Sequence, residues 1–187
     1  THIATADTVG NWVALTTTVN TPFGSKIIVP GTGVILNNQM DDFSLSPGTP
    51  NAFGLVGAEA NRLEPGKRPL SSMSPTIVLQ GKKPILTLGA AGGPKIITQV
   101  VLTILRIVDR DMTLRQAVAA PRFHHQWRPD QLFIERRGTQ WAFPQKVIDD
   151  LRRRGHPLTP LDYTGATQCV GYGKDGKLIG IAEPRLP

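Results

Sequence analysis

One cysteine stands among 187 residues, so no disulfide can form within the chain. Cys169 lies in an apolar, strand-like run and reads as a core residue. No stretch reaches the roughly 18 continuous apolar residues of a membrane helix. The longest candidate, 96–108, is interrupted by Thr98, Gln99, Thr103 and Arg106. Aromatic residues are scarce at 6%, and 14 acidic residues face 21 basic ones, for a formal net charge of +7. That surplus invites a nucleic-acid reading, but stacking side chains are few and only Arg152-Arg153-Arg154 forms a basic run. This run ends an amphipathic helix, where cations suit the helix dipole. No nucleic acid is expected; an acidic partner polypeptide or an anionic substrate fits the charge better.

Several chemical motifs are missing too. The Gly89–Lys95 segment lacks the Gly-Lys-Ser/Thr of a phosphate loop. Ser71, Ser72 and Ser74 sit in no Gly-x-Ser-x-Gly elbow, which argues against a serine nucleophile. His124 and His125 are adjacent in an extended segment and so point opposite ways. With His2 and His156 they match no metal-ligand spacing. Neither a metal nor another cofactor is expected.

What remains is an ordinary globular composition, 40% hydrophobic and 19% charged, enough for one domain over 1–187 with a sizeable core. Residues 2–7 and 11–19 are β-rich runs around a turn at Thr8-Val9-Gly10, and 33–36 reads as another short strand. Residues 46–69 form a long Pro/Gly/Asn-rich loop. A second hairpin is expected over 75–79 and 84–88. Helical spacing of Ile97, Val100, Val101, Ile104, Leu105 and Val108 predicts a helix from Lys95 to about Asp109, with Pro94 suited to its first turn. Shorter helices are predicted over 113–119 and 144–154, and a last hairpin over 167–172 and 177–182. Strands, central helices and strands again indicate an α+β fold with a sheet packed on helices.

Three segments carry candidate chemistry. Thr1 holds a hydroxyl and an α-amine on one residue. With a pKa of roughly 8, part of that amine is neutral near pH 7, so nucleophile and base can come from the same residue. Gly89-Ala90-Ala91-Gly92-Gly93-Pro94-Lys95 leaves bare N–H groups at the positive end of a helix, suited to an oxyanion; a strand-to-helix turn needing glycine reads equally well. Asn37-Asn38-Gln39-Met40-Asp41-Asp42-Phe43 concentrates amides and carboxylates at a strand end. It serves either to hold an ammonium group or as ordinary Asx-turn chemistry.

Segments 16–24, 36–43, 67–76, Gly92-Gly93 and 120–127 together resemble, in order and spacing, the small subunit of the γ-glutamyltransferases. These are N-terminal nucleophile hydrolases. The resemblance implies a four-layer αββα sandwich formed together with a large subunit cut from the same precursor. It implies acyl transfer from glutathione and related γ-glutamyl amides to an amino acid or water, and a periplasmic or secreted location. By position, Thr18 resembles the threonine that assists the nucleophile, and Gly92 and Gly93 the oxyanion pair. Asp42 with Gln39 resembles the α-ammonium site, and Asn20, Ser71 and Ser72 the α-carboxylate site. Residues 46–58 resemble a lid, with Phe53 where the family often has tyrosine. Thr1 takes the nucleophile's role, although the family register places that threonine one residue earlier. A glutaryl-amide acylase of the same fold, or an inactive binding subunit, are the alternatives.

Overall fold

The computed structural model describes residues 1–46, 48–136 and 138–186. In chain order its strands and α-helices are β1 (His2–Ala6), β2 (Trp12–Thr16), β3 (Thr76–Gln80), β4 (Lys83–Ala91), α1 (Lys95–Val108), α2 (Leu114–Ala119), β5 (Phe123–His124), β6 (Leu132–Glu135), α3 (Gln145–Arg153), β7 (Leu158–Leu161), β8 (Ala166–Tyr172) and β9 (Leu178–Ile181). They belong to one of two compact units, residues 1–16 with 73–187; the other unit is 17–72.

In the first unit, β4 is the longest strand and lies inside an antiparallel sheet of order β3-β4-β8-β9. Its pleat sorts residues between two faces. Leu86, Leu88 and Ala90 face α1 and α2, where they form the main core with Ile96, Val100, Leu114, Val118, Cys169 and Ile181. Thr87 and Gly89 face the other way, onto the β1–β2 hairpin. The Thr87 hydroxyl donates to the Val13 carbonyl at 2.9 Å, and Trp12 packs against Tyr172 with ring centroids 5.6 Å apart. Helices, sheet and hairpin give an α-β-β stack, three layers of the expected αββα sandwich. Burying one leucine of this core contributes about 2–3 kcal/mol from transfer alone.

Within the first unit the expected hairpins and helices are found close to their expected places, with one refinement at α1. Its apolar residues fall on two faces. Ile96 and Val100 are buried, while Ile97, Val101, Leu105 and Val108 form a stripe left 48, 48, 45 and 55% exposed. The helix α2 opens with a capping box in which the Thr113 side chain accepts from the Gln116 N–H and the Gln116 side chain accepts from the Thr113 N–H. Cys169 is buried as expected, and burial pushes its thiol up to about 12.

A second sheet, β5-β6-β7, was not foreseen. Strands β6 and β7 pair in parallel, with α3 as their crossover. A small core of Leu132, Ile134 and Ile148, with Phe143, Leu151 and Leu158 against it, holds α3 to the strands. The basic run at the end of α3 is a solvated face: Arg153 and Arg154 both pair with Asp150.

The second unit, 17–72, is mostly irregular. The expected strand at 33–36 is reduced to an isolated bridge between Ile28 and Ile35. Gly31 and Gly33 adopt φ of 75° and 72°, and the chain turns back on itself within this ribbon, with Leu36 N–H donating to Ile27 C=O at 2.9 Å. Two 3-10 turns, Gln39–Asp42 and Glu59–Asn61, supply the regular structure that remains.

Candidate active site

The first strand fixes the neighbour of Thr1. His2 is only 3% exposed. Its Nδ1 lies 2.8 Å from the Thr16 hydroxyl across the hairpin, the pair set by the β1–β2 register. The ring lies against Gly89 of β4, where an added Cβ would stand 2.3 Å from Nδ1. Burial, and then the positive N-terminus beside it, hold the imidazole below its ordinary 6.5, so the ring is neutral at physiological pH. Its Nε2 is buried without a hydrogen-bond partner among the described residues. Thr1 itself is exposed.

Strand β4 runs straight into the second feature. After Ala91 the chain bends through Gly92 (φ 141°) and Gly93 (φ 62°), and α1 begins at Lys95. Both are conformations that L side chains rarely adopt. At Gly92 there is also no room, because a Cβ would lie 3.0 Å from the Gly165 Cα and 3.2 Å from the Gln99 side-chain nitrogen. Among the described residues neither the Gly92 nor the Gly93 N–H donates a hydrogen bond within the chain. Two amide donors therefore stand uncommitted near the positive end of a helix, an arrangement that attracts negative charge.

Thr18, Asn20, Gln39, Asp42, Ser71 and Ser72 belong to the 17–72 unit. The Thr18 hydroxyl accepts from the Asn20 N–H at 2.9 Å, and Asn20 takes a left-handed φ of 81°. The Asn20 side chain donates to the Asn38 carbonyl at 3.2 Å. Gln39 opens the 3-10 turn that Asp42 closes. Burial and then Asp41 push the Asp42 carboxyl above the usual carboxylate range, and a hydrogen bond from Asn20 works against that rise. The structure thus brings the Asn20 and Asp42 side chains together. Asp41 points elsewhere and accepts from the Ala52 N–H at 2.9 Å, which ties the turn to the 46–58 stretch. Pro47 of that stretch lies outside the described residues. Ser71 is exposed and Ser72 half-buried.

Sequence reasoning missed Asn61. Its side chain donates to the Asp42 carbonyl at 2.7 Å and accepts from the Leu70 N–H at 2.8 Å. One amide thereby fixes the Asp42 turn and the segment leading into Ser71 and Ser72. A lone Asn in a long polar loop gives no such signal.

A buried polar cluster was also missed. Arg122 is 1% exposed and pairs with Glu183 at 2.7 Å. It also donates to the side-chain oxygen of Gln99 at 3.2 Å and to the carbonyls of Gly165 and Val118. Arg185 grips Glu135 through two nitrogens and reaches Glu183 at 3.0 Å. Each buried charge has an opposite partner, as burial requires. His124 is spent structurally, its two nitrogens 2.9 Å from the Thr98 hydroxyl and from the Gln126 side-chain oxygen. His125 faces outward to Asp130. No group of three or more potential metal ligands occurs among the described residues.

The α-β-β stack, with a glycine pair between β4 and α1, is the architecture of the N-terminal nucleophile hydrolases. The sequence matches the family model described as Gamma-glutamyltranspeptidase over residues 1–187. It is 45% identical over 185 residues to a glutathione hydrolase proenzyme of Escherichia coli K12, covering 99% of this chain and 31% of that protein. It is 50% identical to one from Pseudomonas sp. A14, covering 96% of this chain and 31% of that protein. Among solved structures, the γ-glutamyltranspeptidase T380A mutant of Helicobacter pylori superposes with a TM-score of 0.93 at 43% identity, over 100% of both chains. A cephalosporin acylase of Bacillus halodurans gives 0.82 at 28% identity, over 98% of this chain and 32% of that one. The chain belongs to the γ-glutamyltranspeptidase family. It spans about a third of the length of those curated relatives.

Proposed function

We propose that this chain is the catalytic small subunit of a γ-glutamyl acyl-transfer enzyme acting on glutathione and related γ-glutamyl amides. The observation that carries the reading is the pair of uncommitted amides at Gly92 and Gly93. The nucleophile is the hydroxyl of Thr1, or, following the family register, of a threonine immediately before it. It attacks the γ-carbonyl while its own α-amine takes the proton, and Thr18 assists. The Gly92 and Gly93 amides receive the oxyanion, where one well-placed donor is worth roughly 3–4 kcal/mol. The α-amine returns the proton to the departing amine. Water or an amino acid then releases the γ-glutamyl group from the ester.

Asp42 and Gln39 hold the substrate α-ammonium, and Asn20, Ser71 and Ser72 its α-carboxylate. The raised affinity of Asp42 for a proton fits a carboxylate kept in a poorly solvated place until a cation arrives. The chain functions as one domain beside a large subunit from the same precursor. The outward apolar stripe of Ile97, Val101, Leu105 and Val108 supports a partner over α1. Relatives of this kind are periplasmic or secreted, and we place the enzyme there. The relatives named glutathione hydrolase are more similar to this chain, at 45–50% identity, than the cephalosporin acylase at 28%. That ranking favours γ-glutamyl over glutaryl donors.

The test is turnover of γ-glutamyl-p-nitroanilide by the complete enzyme, with mass spectrometry of the trapped acyl-enzyme. A γ-glutamyl adduct on the N-terminal peptide is expected. An adduct on an interior side chain, or turnover of glutaryl amides alone, would overturn the proposal.

A further inference from the structure

Gln99 projects from the second turn of α1 and is 2% exposed. Its side-chain oxygen has two neighbours, Arg122 Nη1 at 3.2 Å and the Thr167 hydroxyl at 2.9 Å. A guanidinium can only donate, so the oxygen end of the amide must face Arg122. The nitrogen end is thereby forced to the opposite side, toward the Ala91 carbonyl 3.5 Å away. Arg122 is itself anchored by Glu183 and by the Gly165 and Val118 carbonyls. The orientation of the Gln99 amide is therefore imposed by a buried framework and not chosen by the loop it touches.

The Ala91 carbonyl and the Gly92 N–H belong to one peptide unit. A trans peptide is planar, with its C=O and N–H pointing in opposite directions. A group that holds the Ala91 oxygen on one side fixes the Gly92 N–H on the other. Packing closes the remaining freedom. A Cβ at Gly92 would meet the Gln99 nitrogen at 3.2 Å, and one at Gly165 would meet that nitrogen at 2.2 Å and the Ala91 oxygen at 2.5 Å. Both glycines leave the space the amide fills.

We propose that Gln99 is a positioning residue that aims the Gly92 N–H at the oxyanion by holding the Ala91–Gly92 peptide plane through its carbonyl. The inference rests on the reading of Gly92 and Gly93 as the oxyanion donors. Gln99 touches no reacting atom. Its contribution is to fix, before substrate arrives, the direction of the first donor beyond the end of the β4–β8 ladder, where Ala91 pairs with Ala166. Aligned donors stabilise the tetrahedral intermediate more than the bound substrate, so the effect falls on kcat and not on ground-state binding.

The experiment compares the wild-type complete enzyme with Gln99→Glu and Gln99→Met. Glu keeps the size and still accepts from Arg122 and Thr167, but turns a second oxygen toward the Ala91 carbonyl. Met keeps the volume and removes both polar ends. Kinetics on γ-glutamyl-p-nitroanilide, inhibition by L-glutamate, inhibition by a boronic acid that forms a tetrahedral adduct, and thermal melting are measured on each. Expected for Gln99→Glu is a tenfold to hundredfold fall in kcat, matched by a similar loss of boronate affinity, with KM and glutamate inhibition within about twofold of wild type. Gln99→Met gives the same kinetic split with a lower melting temperature. Wild-type kcat in Gln99→Glu would overturn the role. So would a loss of kcat that leaves boronate affinity intact, or one that only follows lost folding. A wild-type enzyme with no turnover of this substrate would overturn the site reading instead, a result distinct from active wild type with unimpaired variants.

Discussion

The imidazole of His2 lies on the backbone of Gly89, so that an added Cβ at Gly89 would sit 2.3 Å from its Nδ1 and Cε1. Glycine is required there for close approach and not for an unusual dihedral. Gly89→Ala is expected to displace the ring, cost at least about 1–3 kcal/mol of stability by overpacking, and lower kcat by disturbing the strand that carries Thr1. Denaturant melts and steady-state kinetics of the same preparation check both effects. Wild-type values for the two together would contradict this close contact.

Stability is expected to fall with acid from about pH 6.5 downward. Burial, first of all, lowers the affinity of both His2 and His124 for a proton in the folded chain. Both keep the ordinary value of 6.5 once unfolded, so the unfolded chain binds more protons below that pH. Their contribution is fully present above 6.5 and is lost as pH falls through the folded values. Melts at several pH values check this, and His2→Gln and His124→Gln should each flatten the slope in that window, whatever they do to absolute stability.

Asp42→Asn is expected to raise KM for γ-glutamyl-p-nitroanilide by tenfold or more while changing kcat less, since a charged hydrogen bond worth about 1.5–3 kcal/mol is lost. In the wild type, kcat/KM should decline on the acid side at a higher pH than an ordinary aspartate would give, because burial raises this carboxyl. A pH profile whose acid limb is unchanged in the variant would remove Asp42 from substrate binding.

Removing one member of the buried pair should cost more than removing both. Glu183→Gln leaves Arg122 charged and 1% exposed, and a loss of about 3–5 kcal/mol is expected. A double replacement of Arg122 and Glu183 by Met and Gln should recover part of that loss. Equilibrium unfolding of the three variants measures the coupling directly.

Much of the first unit was readable because local chemistry announces it. Gly10, Gly81 and Gly176, all at positive φ, close hairpins whose arms alternate, and Pro94 marks the start of the longest helix among the described residues. The sheet of β5, β6 and β7 was not readable. Its strands span two to four residues, too short for a period to emerge, and Pro160 sits inside β7. The candidate site divides the same way. Residue patterns singled out 37–43 and 89–95, and resemblance added Asn20 and the roles of Asp42, Gly92 and Gly93, but the buried groups around them come from afar. Arg122 meets Glu183 across 61 residues, and Gln99 meets Thr167 across 68. Asn61 reaches Asp42 over 19. Buried polar partners at such separations leave no pattern in a linear sequence, because the fold alone makes them neighbours.

Clamping His2 between Thr16 and Gly89 also sets a length scale for whatever lies ahead of it. Consecutive Cα atoms are about 3.8 Å apart, so an alcohol one or two positions upstream hangs on a leash of a single peptide link or two. On the proposed reading of that alcohol as the nucleophile, its search volume is correspondingly tiny, and its effective molarity toward a bound carbonyl is set by one imidazole seated on one glycine.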